Sequence, residues 1–329
     1  MKHGISLACP FYNESSSVPL FFPRVIPVLE TLGLPFEIVC VNDGSQDATL
    51  DELIRAQAAD DRIVVVDLSR NFGKEAALTA AIDHTRGDAV IPIDADLQDP
   101  PELIPLLVKK WREGYEVVVA RRANRDSDRL VKRLTAGWFY RLHNAISEIG
   151  VPENVGDFRL MDRRVVEILK RLPERRRFMK GLFAWVGFRP AVVEYSRDAR
   201  AVGKTKFSGW RLWNLALEGI TSFSTVPLRL WTYVGSAVAL LSFVYGSFIV
   251  VRTLALGVDV PGYASLLSVV LFLGGIQLIG IGVLGEYIGR IYSETKRRPV
   301  YVVRNVFGGE HGSRAVSGDG RDTAEALVV

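Results

Sequence analysis

The chain has 329 residues, 48% of them hydrophobic, which exceeds one typical domain and predicts a large domain plus a further element. Its 41 Lys and Arg against 37 Asp and Glu leave a net charge of +4, too small an excess to point to nucleic acid as a partner, although basic residues crowd between Arg121 and Lys206. Only Cys9 and Cys40 are present, both in apolar runs and in no metal or redox spacing, so they read as core thiols of a reducing compartment.

Met1-Lys2-His3-Gly4 leads straight into a strand and predicts no cleavable signal peptide. Strands are expected at Ile5–Cys9, Phe36–Val41, Ile63–Leu68, Asp88–Ile93 and Val117–Ala120, with helical segments between them. That alternation predicts an α/β domain built on a largely parallel sheet with flanking helices. The first strand ends in Pro10-Phe11-Tyr12-Asn13-Glu14, and the second in Asn42-Asp43-Gly44-Ser45 before a helix from Asp47. Asp43 offers a carboxylate beside exposed amides, suited to a uridine ring or ribose, and Glu14 offers the same; each alone is a common turn.

The fourth strand runs into Asp94-Ala95-Asp96-Leu97-Gln98-Asp99-Pro100-Pro101-Glu102. The Pro pair stops the strand and suits the first turn of a helix. Asp94 and Asp96 stand two apart, which in extended backbone puts both carboxylates on one side, at the strand end where open α/β sheets bind ligands. Two hard oxygen ligands there suit Mg²⁺ or Mn²⁺, with water or phosphate completing the shell. An acidic turn that only caps the next helix is the plainer alternative. Taken together, these loops look like a nucleotide-diphosphate pocket. No Gly-x-Gly-x-x-Gly follows the first strand and no Gly-x-x-x-x-Gly-Lys-Ser/Thr loop occurs, which counts against dinucleotide and P-loop sites.

Leu130–Ile146 sets Leu130, Leu134, Trp138, Phe139, Leu142 and Ile146 beside Lys132, Arg133 and Arg141, a basic amphipathic pattern apt for a membrane surface. An ordinary surface helix is the alternative. Phe207–Phe223, with Trp210 and Trp213, reads similarly. Leu230–Val251 and Val260–Gly285 then carry no charged residue, and each exceeds the roughly 20 residues that cross a bilayer. Arg290, Lys296, Arg297 and Arg298 follow, so the positive-inside rule places both ends in the cytoplasm. Gly285-x-x-x-Gly289 has a spacing for close helix packing. The expected division is a cytosolic domain over 1–206, a juxtamembrane amphipathic helix over 207–229, a transmembrane hairpin over 230–289 (spans at about 230–251 and 262–285), and a cytosolic segment over 290–329 whose tail, from about Asn305, is disordered.

Pro10-Phe11-Tyr12-Asn13-Glu14, Val41-Asn42-Asp43-Gly44-Ser45, Asn71-Phe72-Gly73-Lys74 and the Asp94–Pro101 run together resemble the family-2 glycosyltransferases of GT-A fold. More narrowly, the chain resembles the polyprenyl-phosphate glycosyltransferases, which include dolichol-phosphate mannose synthase, and is most similar to the bacterial bactoprenol (undecaprenyl-phosphate) glucosyltransferases. The resemblance runs on through Asp157-Phe158-Arg159-Leu160-Met161-Asp162-Arg163, Leu172-Pro173-Glu174-Arg175 and both spans to Gly285-Glu286-Tyr287-Ile288-Gly289-Arg290.

This resemblance implies inverting, metal-dependent transfer of glucose from UDP-glucose to undecaprenyl phosphate at a bacterial inner membrane. GDP-mannose or a UDP-aminosugar is the alternative donor, and a non-catalytic membrane-anchored binder or a transporter the alternative class; spans free of intramembrane charge make a poor transport path. It also implies Mg²⁺ or Mn²⁺, held by Asp96 with Asp94 on metal or ribose and Gln98 in the second tier of the loop. Asp43 and Glu14 would hold the nucleoside, Pro10 and Tyr12 would shape its pocket, and Asp99 would cap a helix. Asp157 matches an acid of related inverting enzymes, where it serves as base or orients the sugar. For the anionic acceptor, Arg200 and Lys206 match basic residues of the family, and Arg122 and Arg133 are further candidates; attraction of lipid headgroups alone is the other reading of each. A separate flippase for the lipid-linked sugar is implied, and a homo-oligomer is left open.

Overall fold

The computed structural model describes residues 4–122, 155–175, 177–195, 226–256 and 262–309. Eight strands form one sheet: β1 (Ile5–Phe11), β2 (Phe36–Asn42), β3 (Ile63–Leu68), β4 (Ala89–Pro92), β5 (Val117–Arg122), β6 (Val155–Asp162), β7 (Pro190–Tyr195) and β8 (Val303–Phe307). Their order is β7-β5-β6-β4-β1-β2-β3-β8. The central run β4-β1-β2-β3 is all parallel, as the alternation of apolar strands and helices predicts. In the flanks β7 pairs parallel with β5, while β6 pairs antiparallel with both β4 and β5 and β8 antiparallel with β3, so a sheet whose pairings are mostly parallel is mixed outside its centre.

Two-residue alternation sends side chains of each strand to opposite faces. On β1, Ile5, Leu7, Cys9 and Phe11 pack against α1 (Val18–Glu30) and α4 (Ile104–Arg112). Leu53 of α2 (Thr49–Ala59) joins the same layer. Ala8, with Val39 and Val41 of β2, packs on the other face with α3 (Lys74–Asp83), α5 (Arg163–Arg171) and α6 (Met179–Trp185). Helices thus cover both faces, and both cysteines are buried, their thiols pushed far up by desolvation.

The prolines follow the ladder. Pro10 lies inside β1, beyond the expected end at Cys9, but β4 pairs only as far as Ala8, so no N–H is required of it on that side. Pro92 of β4 likewise lies past the short β6 ladder, which stops at Val90.

After the head come α7 (Val226–Leu256) and α8 (Tyr263–Thr295), of 31 and 33 residues. Each is long and apolar enough to cross a membrane, over Leu230–Ile249 and Phe272–Thr295. The second window lies further along the chain than the expected span at 262–285. Close helix approach falls at Gly280, where any side chain would collide with the Trp231 indole, and not at Gly285 or Gly289, where a Cβ would meet open space. Past α8 the chain returns to the head. Tyr301 Oη donates to Asp83, Ser69 N donates to Val302 O, and β8 closes the sheet edge, so Asn305–Phe307 is strand where a disordered tail was expected. The proposed amphipathic stretches 130–146 and 207–223 lie outside the described residues, as do Arg133, Arg200 and Lys206.

Candidate active site

The loops at the C-terminal ends of β1, β2, β3 and β4 meet on one side of the sheet. Asp43 follows β2 and is 2% exposed. Its Oδ1 accepts from Phe72 N (2.7 Å), and its Oδ2 accepts from Gly73 N and Asn71 Nδ2 (both 3.0 Å). Burial raises the Asp43 carboxyl above its ordinary value, while those amides and Arg70 pull it back. The loop after β3 lies so close that a Cβ on Gly44, at φ +61°, would meet Arg70 C at 2.4 Å. Only glycine fits both the backbone and the contact. Asp43, expected to hold the nucleoside, therefore has most of its acceptor capacity committed to its own neighbourhood.

The first loop is tied to the second in the same way. Asn13, at φ 52°, accepts from Gln46 N (2.8 Å), and its own N–H donates to Ser45 Oγ (3.0 Å). The Glu14 carboxylate accepts from Ser17 Oγ at the start of α1, and Glu14 N donates to Thr49 Oγ1. Tyr12 is 45% exposed and Pro10 is half-buried.

Asp94 and Asp96 emerge just after β4, which ends at Pro92, well before the Pro100-Pro101 pair expected to stop it. Asp96 Oδ1 accepts from Gln98 N (3.1 Å), and the residue between, Leu97, is left-handed at φ 53°. A non-glycine residue held there is strained, the kind of strain that collects at functional sites. Gln98 is buried with no partner for its Nε2. Asp99, expected to cap a helix, does not: the turn Pro101–Leu103 begins at Pro100 without a side-chain cap, and Asp99 instead accepts from Tyr195 Oη of β7 at 2.6 Å.

Asp157 comes from β6, the antiparallel strand next to β4, and reaches the same place. Lys74, the first residue of α3, bridges the two: its Nζ lies 2.8 Å from Asp94 and 3.0 Å from Asp157 Oδ2. Asp157 Oδ1 is buried and unpartnered. Burial would raise the Asp157 carboxyl, but the Lys74 and Lys180 charges outweigh it and hold the group below its ordinary value. Burial would depress the Lys74 ammonium, and Asp94 and Asp157 instead keep it above its ordinary value.

Around this pair stand groups that the sequence reading passed over. Glu75 accepts from Met179 N (3.1 Å), and burial, then Asp157, push its carboxyl up to about 7. Arg159 stacks on the Phe183 ring at 4.1 Å, and burial lowers its guanidinium to about 10 although Asp157 opposes this. Lys74 did carry a signal. A lysine opening a helix faces the positive end of the macrodipole, an unfavourable place without nearby carboxylates. Of the expected acceptor residues, Arg122 is the last residue of β5.

Among the described residues, no group of three or more His, Cys, Asp or Glu could hold a metal by protein side chains alone. Two carboxylates in the one loop after β4 nevertheless fit Mg²⁺ or Mn²⁺, because such ions commonly take one or two carboxylates and complete their shell with phosphate oxygens and water.

A model of glycosyl transferase family 2 matches residues 6–169, and one of the GtrB C-terminal hairpin matches residues 226–291. The chain is 57% identical over 302 residues to the bactoprenol glucosyl transferase of Shigella phage SfV, covering 92% of this chain and 98% of that one. It is 56% identical over 303 residues to a prophage bactoprenol glucosyl transferase homolog of Escherichia coli, covering 92% and 99%. A glycosyltransferase of Synechocystis is 55% identical over 311 residues, covering 94% and 98%. Among solved structures, mannosyl-3-phosphoglycerate synthase from Rubrobacter xylanophilus aligns with a TM-score of 0.47 at 21% identity, covering 70% and 74%, too slight a likeness to assign anything here.

Proposed function

Because this chain belongs to glycosyl transferase family 2, and is a glycosyltransferase with a GtrB-type hairpin, we propose that it transfers glucose from UDP-glucose to undecaprenyl phosphate with inversion at C1. The observation that carries this reading is the Lys74 bridge between Asp94 and Asp157, with Asp96 two residues on in the Asp94 loop, beside loops able to seat a nucleotide. Full-length similarity to proteins named for bactoprenol supplies the lipid acceptor and the glucose.

Asp94 and Asp96 would hold Mg²⁺ or Mn²⁺, with Gln98 behind them in the second tier. The ion, when bound, supplies Lewis-acid neutralisation of the charge that builds on the departing UDP. The protein's own part is to fix the donor and exclude competing geometry. Tyr12 and Pro10 offer a flat apolar wall, while Asp43 and Glu14 brace the loops that flank the nucleoside. The acceptor phosphate, with a second pKa of ~6, arrives largely ionised and needs no strong base. Asp157 is a poor one, since Lys74 and Lys180 hold its carboxyl low. It serves instead as a fixed negative charge near the positive charge that develops at C1, and as an acceptor for sugar hydroxyls through its unpartnered Oδ1. Arg122, Arg133, Arg200 and Lys206 are assigned to the acceptor phosphate.

We assign the hairpin to the bacterial inner membrane, with the head and both termini in the cytoplasm. Strands β1–β7 precede the hairpin and β8 follows it within the same sheet, so the chain leaves the head for the hairpin and returns to it. An even number of crossings accords with that.

A donor panel tests the reading. Purified chain in lipid nanodiscs is offered undecaprenyl phosphate with labelled UDP-glucose, UDP-galactose, UDP-N-acetylglucosamine or GDP-mannose. Glucose is expected to enter the lipid fraction at the highest rate. Preferential transfer of another sugar would replace the donor while keeping the reaction class, and no lipid-linked label from any donor would remove the acceptor.

A further inference from the structure

Lys74 stands in a position that the proposed reaction makes costly. Its ammonium touches the Asp94 carboxylate at 2.8 Å and Asp157 at 3.0 Å. Asp94 is one of two carboxylates assigned to a divalent ion. An ion and an ammonium drawn to the same carboxylate repel one another, and a half-exposed site screens that repulsion only in part. The Lys74 side chain is also free to leave. It is 50% exposed, on a flexible four-carbon stem at the first residue of α3. The loop that carries it, Asn71–Gly73, is the one gripped by Asp43, so its root is fixed to the nucleoside side of the site while its tip is held by carboxylates alone.

We propose that Lys74 competes with the metal for Asp94, and yields only when a nucleoside diphosphate offers its ammonium phosphate oxygens instead. Metal binding is thereby conditional on nucleotide. The exchange also uncovers both Asp157 oxygens for the sugar at the moment the donor arrives. This inference rests on the metal assignment to Asp94 and Asp96, and deepens it by giving the site an order of assembly.

Mn²⁺ binding to the full chain in nanodiscs, read by electron paramagnetic resonance with and without UDP, separates the two claims. Wild type is expected to bind Mn²⁺ weakly alone and at least about tenfold more tightly with UDP, within the usual range of coupling between sites. Lys74→Gln is expected to bind Mn²⁺ alone at least about tenfold more tightly than wild type and to gain less from UDP, whose phosphate oxygens still serve as ligands. Lys74→Met, which keeps the stem without the charge, repeats the test should Gln disturb the start of α3. Lys74→Arg, which keeps the charge, is expected to match wild type without UDP. If Mn²⁺ binds wild type with UDP but the Gln and Met variants bind it alone no more tightly, the role of Lys74 falls and the metal site stands. Tighter binding by the Arg variant as well would also overturn it, because charge would not be the cause. If Mn²⁺ does not bind wild type even with UDP, the metal assignment fails and takes the inference with it.

Discussion

Asp43 and Asp157 are both acids at strand ends, the first buried and the second half-buried, and they differ in what satisfies them. Asp43 is closed on by backbone amides and Asn71 of one neighbouring loop. Asp157 is met by a movable lysine on one oxygen and by nothing on the other. A carboxylate answered by backbone builds the site. One answered by a half-exposed lysine is available to a ligand. On this contrast we propose architecture for the β2 loop and reaction chemistry for β6.

The largest effect expected from this contrast is on rate. Asp157→Asn is expected to lower transfer by about three orders of magnitude, ~4 kcal/mol of transition-state stabilisation, with a melting temperature within a few degrees of wild type. Steady-state kinetics and a thermal melt on one preparation would show it. A large loss of stability with modest loss of rate would place Asp157 with Asp43.

Asp43→Ala is expected to do the reverse. It strands two buried backbone donors and the Asn71 amide, at a cost of about 2–4 kcal/mol. The melting temperature is expected to fall by on the order of 5–10 °C. An unchanged melt would break the distinction between the two acids.

Glu75 sharpens it through pH. Its carboxyl is raised to about 7 in the fold from an ordinary 4.5, so the folded state binds the extra proton between those values. The stability this contributes is complete below the ordinary value and is lost as pH rises through about 7. Glu75→Gln keeps an oxygen for Met179 N and is expected to flatten the fall in melting temperature between about pH 5 and pH 8. Parallel curves for variant and wild type would mean that Glu75 is ionised throughout.

The smallest effect concerns Asp99, which the structure turns from a cap into a buried acceptor. Tyr195→Phe removes its 2.6 Å contact and is expected to cost about 1–2 kcal/mol in a denaturant titration, with little change in kcat.

The parallel centre of the sheet was legible because its strands are short apolar runs closed by turn residues, as in Ile63–Leu68. Of the flanking strands only β5 was. Val155–Asp162 mixes Asp157 and Arg159 into a strand, so it carries no apolar period and yields only to resemblance. Edge strand β8 is only five residues long, and pairs Asn305 with Asp67 across most of the chain, a partnership that local pattern does not record. Arg304 secures it, meeting the buried Asp67 at 3.3 Å, while Asp67 also accepts from Asn42 beside the β2 loop. At the site, the Asp94–Asp96 pair announced itself through its spacing and the prolines after it. The link to Asp157 did not, since it depends on an antiparallel neighbour to β4 and on Lys74 reaching across from another helix.

The central claim is that Asp94 and Asp96, with Asp157 reached through Lys74, form a metal-dependent site for moving glucose onto a lipid phosphate. It is tested most directly by following label from UDP-glucose into undecaprenyl phosphate with wild type and Asp96→Asn, each with Mn²⁺ and with excess chelator. Lipid-linked label is expected only from wild type with metal. Undiminished transfer in chelator, or by Asp96→Asn, would contradict it.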